Sequence, residues 1–357
     1  MKGLKKLVLH LAPALFLTLS LQAPAGNPNP VSSGHAACFV YHRFDDNRYP
    51  STNIPASVFR EQLTYLAQNN FTVWNLEELV EYMRAGESIP ARSVVITIDD
   101  AYLSFYEKGL PILEEFGYTA TLFVNTSNTG DADYMNWGQV MDAQKRGITI
   151  GNHSHAHGHF LNIRENEERK KTFTDDLLQA HSLFVEHLGK IPKLYSYPYG
   201  EFDQLMAGIL GEEGYRAAAA QNSGILYDRE RLFEIPRFPM GGPFATVVGF
   251  IEKAQMHPLP VTGKDPQNMV MMHNPPALEV IISKSRIDAD RIQCFVDGTR
   301  NCITEVREGP ENIRIKITAR SPLNGRRSLY TITAPLLNGK GWCWFSHVWV
   351  NTAIREE

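Results

Sequence analysis

The chain has 357 residues, 43% hydrophobic and 21% charged, an ordinary globular composition with length for two or three domains and no case for wholesale disorder. Its 35 Lys and Arg against 39 Asp and Glu leave a formal net charge of −4, which argues against nucleic acid as a partner, because a phosphate backbone selects a basic surface. Twelve histidines stand beside only four cysteines, so the placement of the histidines carries information.

In chain order, Lys2, Lys5 and Lys6 precede an apolar run from Leu7 to Leu21, interrupted by His10 and Pro13 and followed by Ala23-Pro24-Ala25. That is the layout of a secretory signal peptide over residues 1–25. The run is short of the roughly 20 apolar residues of a membrane span. A buried N-terminal helix is the competing reading, and Gly26-Asn27-Pro28-Asn29-Pro30 would break it. No later stretch is long and apolar enough to cross a bilayer, so the expectation is a soluble chain exported to the periplasm or the medium, with no transmembrane segment after cleavage.

From about residue 36 to 270 short β-rich runs alternate with helical periodicity. The runs are Ala37–Tyr41, Val94–Ile98, Thr121–Val124 and Leu194–Tyr197. Asn75 reads as an N-cap for a helix over 76–84 ended by Gly86. Phe173, Leu177, Phe184 and Leu188 form one stripe of a longer helix that Gly189 stops. This alternation predicts a parallel α/β domain over 36–276.

Beyond Asn274-Pro275-Pro276 the pattern changes to short β-like runs with no helix-length period, which predicts a small all-β sandwich over 277–357. In an exported chain Cys38, Cys294, Cys302 and Cys343 are disulfide candidates. Cys294 with Cys302 is the preferred pair, Cys343 competes for either, and Cys38 reads as a buried thiol. Three of the five Trp lie here; strand alternation sends Trp342 and Trp344 to one face and Trp349 to the other. Core packing and stacking on sugar rings both remain open for them.

Two segments point to chemistry. The run Val94–Ile98 ends in Asp99-Asp100, and strand ends are where functional groups gather in parallel α/β folds. A helix cap beside a solvated carboxylate is the plainer alternative. Four histidines fall within Gly151-Asn152-His153-Ser154-His155-Ala156-His157-Gly158-His159. Spacing of i and i+4 would put His153 with His157, or His155 with His159, on one face of a helical turn; a solvated polar loop is the alternative. Together, two His and one Asp make the three-ligand set of an open catalytic metal site, and the second Asp could act as a general base. In a third segment, Tyr195-Ser196-Tyr197-Pro198-Tyr199-Gly200, a strand runs into a turn whose backbone N–H could face an oxyanion, although an ordinary turn explains it as well.

Thr97-Ile98-Asp99-Asp100-Ala101, His153-Ser154-His155-Ala156-His157 and Tyr197-Pro198-Tyr199-Gly200, in that order, resemble the first three motifs of the polysaccharide deacetylases, the NodB-homology carbohydrate esterases. The resemblance spans about residues 37–250. It implies a distorted (β/α) barrel with fewer than eight repeats and a metal-dependent N-deacetylase of an N-acetylated polysaccharide. Carried over residue by residue, it makes Asp99 the general base and Asp100, His153 and His157 the ligands of a divalent ion, Zn2+ first, with Co2+, Ni2+ or Fe2+ as alternatives. It leaves His155 and His159 outside the ligand set and gives the Tyr199 backbone N–H to the oxyanion.

Two departures follow. The family's third motif carries an Arg where this chain has Ser196, and Arg237 is the candidate to orient Asp99 in its place. The expected C-terminal acid histidine is matched only loosely by His273. Instead Tyr41-His42 closes the first strand, as in the subgroup acting on poly-N-acetylglucosamine, which makes His42 the candidate acid. Peptidoglycan or chitin as substrate uses the same site, and a sugar-binding protein with a degenerate site is the rival from another class.

Overall fold

The computed structural model describes residues 34–356 apart from 228 and 285, so the expected signal peptide lies outside the described residues. Ala36–Tyr41 opens a parallel sheet whose order continues through Ser93–Ile98, Thr121–Val124, Thr149–Asn152, Leu194–Ser196 and Ala217–Ala219. Ser93–Ile98 is flanked in full by Ala36–Tyr41, while its other edge is shared: Thr72–Trp74 pairs along 93–95 and Thr121–Leu122 with 97–98. The sheet curls back on itself. Ala219 pairs with Ile235 at one edge and Phe39 with Phe238 at the other, so the segment 235–239 bridges the last strand to the first. This is a distorted (β/α) barrel.

Strand alternation sorts the side chains, because successive residues point to opposite faces. Val94, Ile96 and Ile98 pack outward with Phe39, Tyr41, Leu63 and Leu113 in the layer under the helices. Val95 packs inward with Cys38, Phe123, Leu194 and Ala219. The helices that cover the outside include Ala56–Gln68, Trp137–Lys145 and Asn166–Leu188, whereas Leu76–Arg84 packs its buried face, Leu76, Leu79, Val80 and Met83, on the inward cluster. The Asn75 side chain accepts from the Glu77 N–H and caps its helix, and Asn166–Leu188 ends at Gly189 with φ 71°, a left-handed conformation that glycine adopts without steric cost. No helix among the described residues is long and apolar enough to cross a membrane.

Two four-stranded sheets follow. One has the order His257–Pro258, Trp342–Val350, Arg327–Pro335, Gln293–Val296; the other Val261–Asp265, Ala277–Ser283, Asn312–Ala319, Cys302–Glu308. They enclose a core of Val280, Ile282, Ile313, Ile315, Ile317, Tyr330, Ile332 and Trp349. The chain thus enters these sheets at His257, ahead of residue 277. Trp349 is buried in that core, whereas Trp344 turns toward the barrel, its ring edge-on to Phe238 and its Nε1 donating to the Ser223 carbonyl at 3.1 Å.

The cysteines correct an expectation. All four are free and buried, and the Cys302 thiol donates to the Cys294 carbonyl oxygen at 3.1 Å rather than bonding the Cys294 sulfur. Burial pushes the Cys294 and Cys343 thiols up to about 11, so the thiolate that disulfide formation requires is scarce at neutral pH.

Candidate functional site

The inward register of each strand delivers one polar residue to the same end of the barrel. Val95 and Thr97 lead to Asp99; Cys38 and Val40 lead to His42; Leu194 leads to Ser196; Gly151 leads to His153. Gly151 has a steric reason: a Cβ there would lie 2.4 Å from the Phe123 ring.

Asp99 is fully buried and gripped by Arg237, also fully buried. Nη1 donates to Oδ1 at 2.7 Å and Nη2 to Oδ2 at 2.8 Å, the two-pronged geometry that only a guanidinium supplies. Arg237 is itself held by the Ala220 carbonyl at 2.9 Å and the Thr97 hydroxyl at 3.0 Å. Ser196 occupies the space between, accepting from Arg237 Nη2 at 2.9 Å and donating to Asp99 Oδ2 at 3.1 Å. Burial acts to raise the Asp99 carboxyl, but Arg237 and His153 outweigh it and hold the group below the usual carboxylate range.

Beside this pair, Asp100, His153 and His157 converge. Asp100 Oδ1 lies 3.4 Å from His153 Nε2 and 3.3 Å from His157 Nε2, and the two nitrogens are 3.2 Å apart. Ligand atoms about 2.0–2.1 Å from a tetrahedral ion are themselves about 3.3–3.4 Å apart, so the triangle has the dimensions of one face of a metal polyhedron. His153 Nδ1 donates to the Ser196 carbonyl at 2.8 Å, which leaves Nε2 with its lone pair toward the triangle. Burial opposes both charges, yet the histidines hold Asp100 well below its ordinary value and the carboxylates lift His153 above its own. The site therefore favours positive charge at its centre, and its residues fit a divalent ion. His153 keeps only 1% of its side-chain surface exposed, against 13% for Asp100 and 22% for His157, so the open side lies toward the last two.

The histidines do not sit on a helical turn as the i, i+4 spacing suggests. His153 follows the strand Thr149–Asn152, and Ser154 and His157 take φ of 72° and 51°, which a helix excludes. The loop is shaped instead by Asp176, on the buried face of Asn166–Leu188, a residue that local spacing does not reveal. Its carboxylate accepts from the Ser154 hydroxyl at 2.8 Å, the His155 N–H at 2.9 Å and the Ala156 N–H at 2.7 Å. The available signal is an acid interrupting the apolar stripe of Phe173, Leu177 and Ala180.

His155 points away from the triangle, its Nδ1 3.0 Å from the Thr126 hydroxyl, and His159 Nδ1 lies 3.1 Å from Glu201 Oε2. In the turn after Leu194–Ser196, the Gly200 and Glu201 N–H groups donate to the Tyr197 and Pro198 carbonyls. The Tyr199 N–H has no protein acceptor among the described residues, and the Tyr199 ring meets His157 edge-on with centroids 4.6 Å apart. His42 is part-exposed, and its electrostatic neighbours are Asp100, Asp99, Arg237 and His153. Burial lowers its basicity, with the two aspartates opposing. His273 is exposed, in the segment leading to the strand Ala277–Ser283.

Residues 86–218 match the family model of the polysaccharide deacetylases. That segment is a polysaccharide deacetylase domain. It contains Asp99, Asp100, His153, His157, Ser196 and Tyr199, while His42 and Arg237 lie outside the matched range. A relative in Staphylococcus aureus, a poly-β-1,6-N-acetyl-D-glucosamine N-deacetylase, is 23% identical over 211 residues, covering 56% of this chain and 71% of the relative. Among solved structures, the Streptococcus pyogenes deacetylase PplD in complex with acetate superposes with a TM-score of 0.56 at 17% identity, covering 62% of this chain and 99% of that one. IcaB from Ammonifex degensii does so with 0.54 at 22% identity, covering 62% and 97%. These likenesses establish that the deacetylase domain shares their fold.

Proposed function

We propose that the protein is a metal-dependent hydrolase that removes acetyl groups from an N-acetylglucosamine-containing polysaccharide, with poly-β-1,6-N-acetylglucosamine the first polymer to test. The observation that carries this reading is the Asp100, His153 and His157 triangle set against the Asp99–Arg237 pair. Asp100, His153 and His157 would hold a divalent ion, for which two imidazoles and a carboxylate suit Zn2+ first and Co2+, Ni2+ or Fe2+ after it. When bound, such an ion supplies a Lewis acid that polarises an acetamide carbonyl and acidifies water.

The chain's own groups account for the proton movements. Asp99, held ionised and fixed in orientation by Arg237, accepts a proton from the attacking water. The free Tyr199 N–H donates to the carbonyl oxygen as it gains negative charge. The amine must leave protonated, and His42 stands on the same side of the barrel to supply that proton. Burial makes its protonated form a better proton donor than a free imidazolium, while the neighbouring aspartates act the other way and stabilise that cation. Ser196 hands the orienting role to Arg237 by occupying the gap between guanidinium and carboxylate.

The reading extends to location and layout: an exported enzyme acting outside the cytoplasm, in which the C-terminal sheets form an accessory module. Amine release from acetylated glucosamine oligomers, measured with and without a chelator, tests the activity. Release that is abolished by chelation and restored by Zn2+ supports it. Release from chitin or peptidoglycan fragments but not from β-1,6 oligomers would reassign the substrate, and binding without release would favour a sugar-binding protein.

A further inference from the structure

The turn that carries Tyr199 is held from outside the matched deacetylase segment. Tyr199 has φ 58°, a left-handed backbone that an aromatic residue keeps only where its surroundings enforce it. Its ring is stacked on His159, centroids 3.8 Å apart and planes 9° from parallel, and the Arg327 guanidinium lies 5.2 Å from its centroid. His159 and Arg327 in turn converge on one carboxylate two residues further on, that of Glu201, with Nδ1 of the first at 3.1 Å and Nη1 of the second at 3.3 Å.

The strongest contact to Glu201 comes from Arg326. Nε donates to Oε1 at 2.7 Å and Nη2 to Oε2 at 2.7 Å, and both side chains are almost wholly buried. Arg326 immediately precedes the strand Arg327–Pro335 of the C-terminal sheets, and its Nη1 donates to the Ile354 carbonyl at 2.8 Å. A buried ion pair repays the desolvation of its charges only in tight geometry. Here that geometry ties the C-terminal strands to the residue that anchors the Tyr199 turn.

We propose that Arg326 is a positioning residue for the Tyr199 turn, acting through Glu201 and His159, so that the C-terminal sheets complete the oxyanion side of the site. The catalytic consequence rests on the deacetylase reading; the positioning itself does not. Only Gly200 separates Tyr199 from Glu201, and the Glu201 N–H donates back to the Pro198 carbonyl, so a shift of Glu201 acts directly on the turn that aims the Tyr199 N–H. The ligand triangle meets the Tyr199 ring only at His157 and has supports of its own in Asp176 and the Ser196 carbonyl, so it should stay intact when the clamp is cut.

The test uses the full chain and four variants, Arg326→Gln, Glu201→Gln, the double variant that combines these two, and Arg326→Lys, each assayed for bound metal, kcat and KM on acetylated glucosamine oligomers, and hydrogen–deuterium exchange. Arg326→Gln and Glu201→Gln should each lower kcat by about 10-fold or more, with metal content and KM within about twofold of the parent. Exchange should quicken in peptides covering 197–202 and stay unchanged in those covering 153–157, and Arg326→Lys should recover part of both effects. The double variant should lose no more than either single one, because one clamp is being cut. A kcat per metal-loaded molecule equal to the parent's, or unchanged exchange at 197–202, overturns the proposal and leaves the pair as a structural tie. A parent that releases no amine while Arg326→Gln still loosens 197–202 would refute the activity and sustain the positioning.

Discussion

Arg237 grips Asp99 with two nearly parallel bonds, 2.7 and 2.8 Å long, across 138 residues of sequence. The guanidinium does two things at once: it fixes the plane of the carboxylate and keeps it ionised where burial would protonate it. Arg237→Ala should therefore lower turnover about 10- to 100-fold with metal content unchanged. It should also cost about 3–5 kcal/mol of stability, since Asp99 would be left buried without its partner. Arg237→Lys keeps the charge and loses the fork, and should fall between. Steady-state kinetics with metal analysis decide the matter; undiminished turnover per folded molecule would confine Arg237 to a structural role.

Asp100, His153 and His157 form a triangle with edges of 3.2 to 3.4 Å. Replacing one apex removes a ligand without disturbing the strands that present it, so His157→Ala should lose most of its bound metal and keep its circular dichroism spectrum. His157 is the better choice for the test because it is the more exposed of the two histidines. Full metal occupancy in the purified variant would reject this ligand set.

Asp176 touches no candidate ligand atom, yet it accepts three hydrogen bonds from the loop between His153 and His157. Asp176→Ala strands the His155 and Ala156 N–H groups and lets Ser154 and His157 relax from their left-handed backbone. Metal affinity should weaken about 10- to 100-fold, read by competition against a chromophoric chelator. Unaltered affinity would show that the loop holds its shape without the helix.

The parts of this molecule that are legible in the sequence are those with a local cause. Asn75 as a cap and Gly189 as a stop follow from side-chain and backbone chemistry within one helical turn. The strands Ala36–Tyr41 and Ser93–Ile98, which lead to His42 and Asp99, are long enough to display an uninterrupted apolar run. Phe238–Pro239 and Ile225–Leu226 are two residues each, too short to show alternation, and they become strands only because Ala36–Tyr41 pairs with them. The four histidines stand out by density, but their spacing does not report their conformation, since the force that bends the loop is the Asp176 carboxylate on a distant helix. Arg237 could be sought because a buried carboxylate requires a cation. Glu201 and Arg326 offered no such clue, their pairing being a product of how the C-terminal sheets meet the barrel.

Glu201 gives a pH signature. Burial acts to raise its carboxyl, but Arg326 and His159 outweigh burial and lower it below the ordinary value. A group with a depressed folded-state value contributes stability that is present above its unfolded value, about 4.3, and is lost as pH falls through the folded one. Glu201→Gln should accordingly be less stable than the parent at pH 7, with the gap narrowing as pH falls below about 4.5. Urea melts across that window measure it, and a gap independent of pH would show that the ion pair contributes nothing through its charge.

His42 and His273 compete for the role of acid, and their settings differ. His42 continues the inward register of Cys38 and Val40 and has Asp99, Asp100 and His153 as electrostatic neighbours. His273 is exposed, in a segment whose neighbours Met269 and Met271 hydrogen-bond through their backbones to Val350 of the C-terminal sheets. General-acid assistance contributes typically about 10²- to 10⁴-fold. His42→Ala should lose turnover on that scale with metal retained, while His273→Ala should stay within about twofold of the parent. Substrates with a better leaving group sharpen the comparison, because an amine that departs readily has less need of a proton: the His42→Ala deficit should shrink on an activated acetanilide and persist on the glycan. A deficit of equal size on both would place His42 outside the proton transfer, and a larger loss at His273 would move the acid to the segment that leads into the C-terminal sheets.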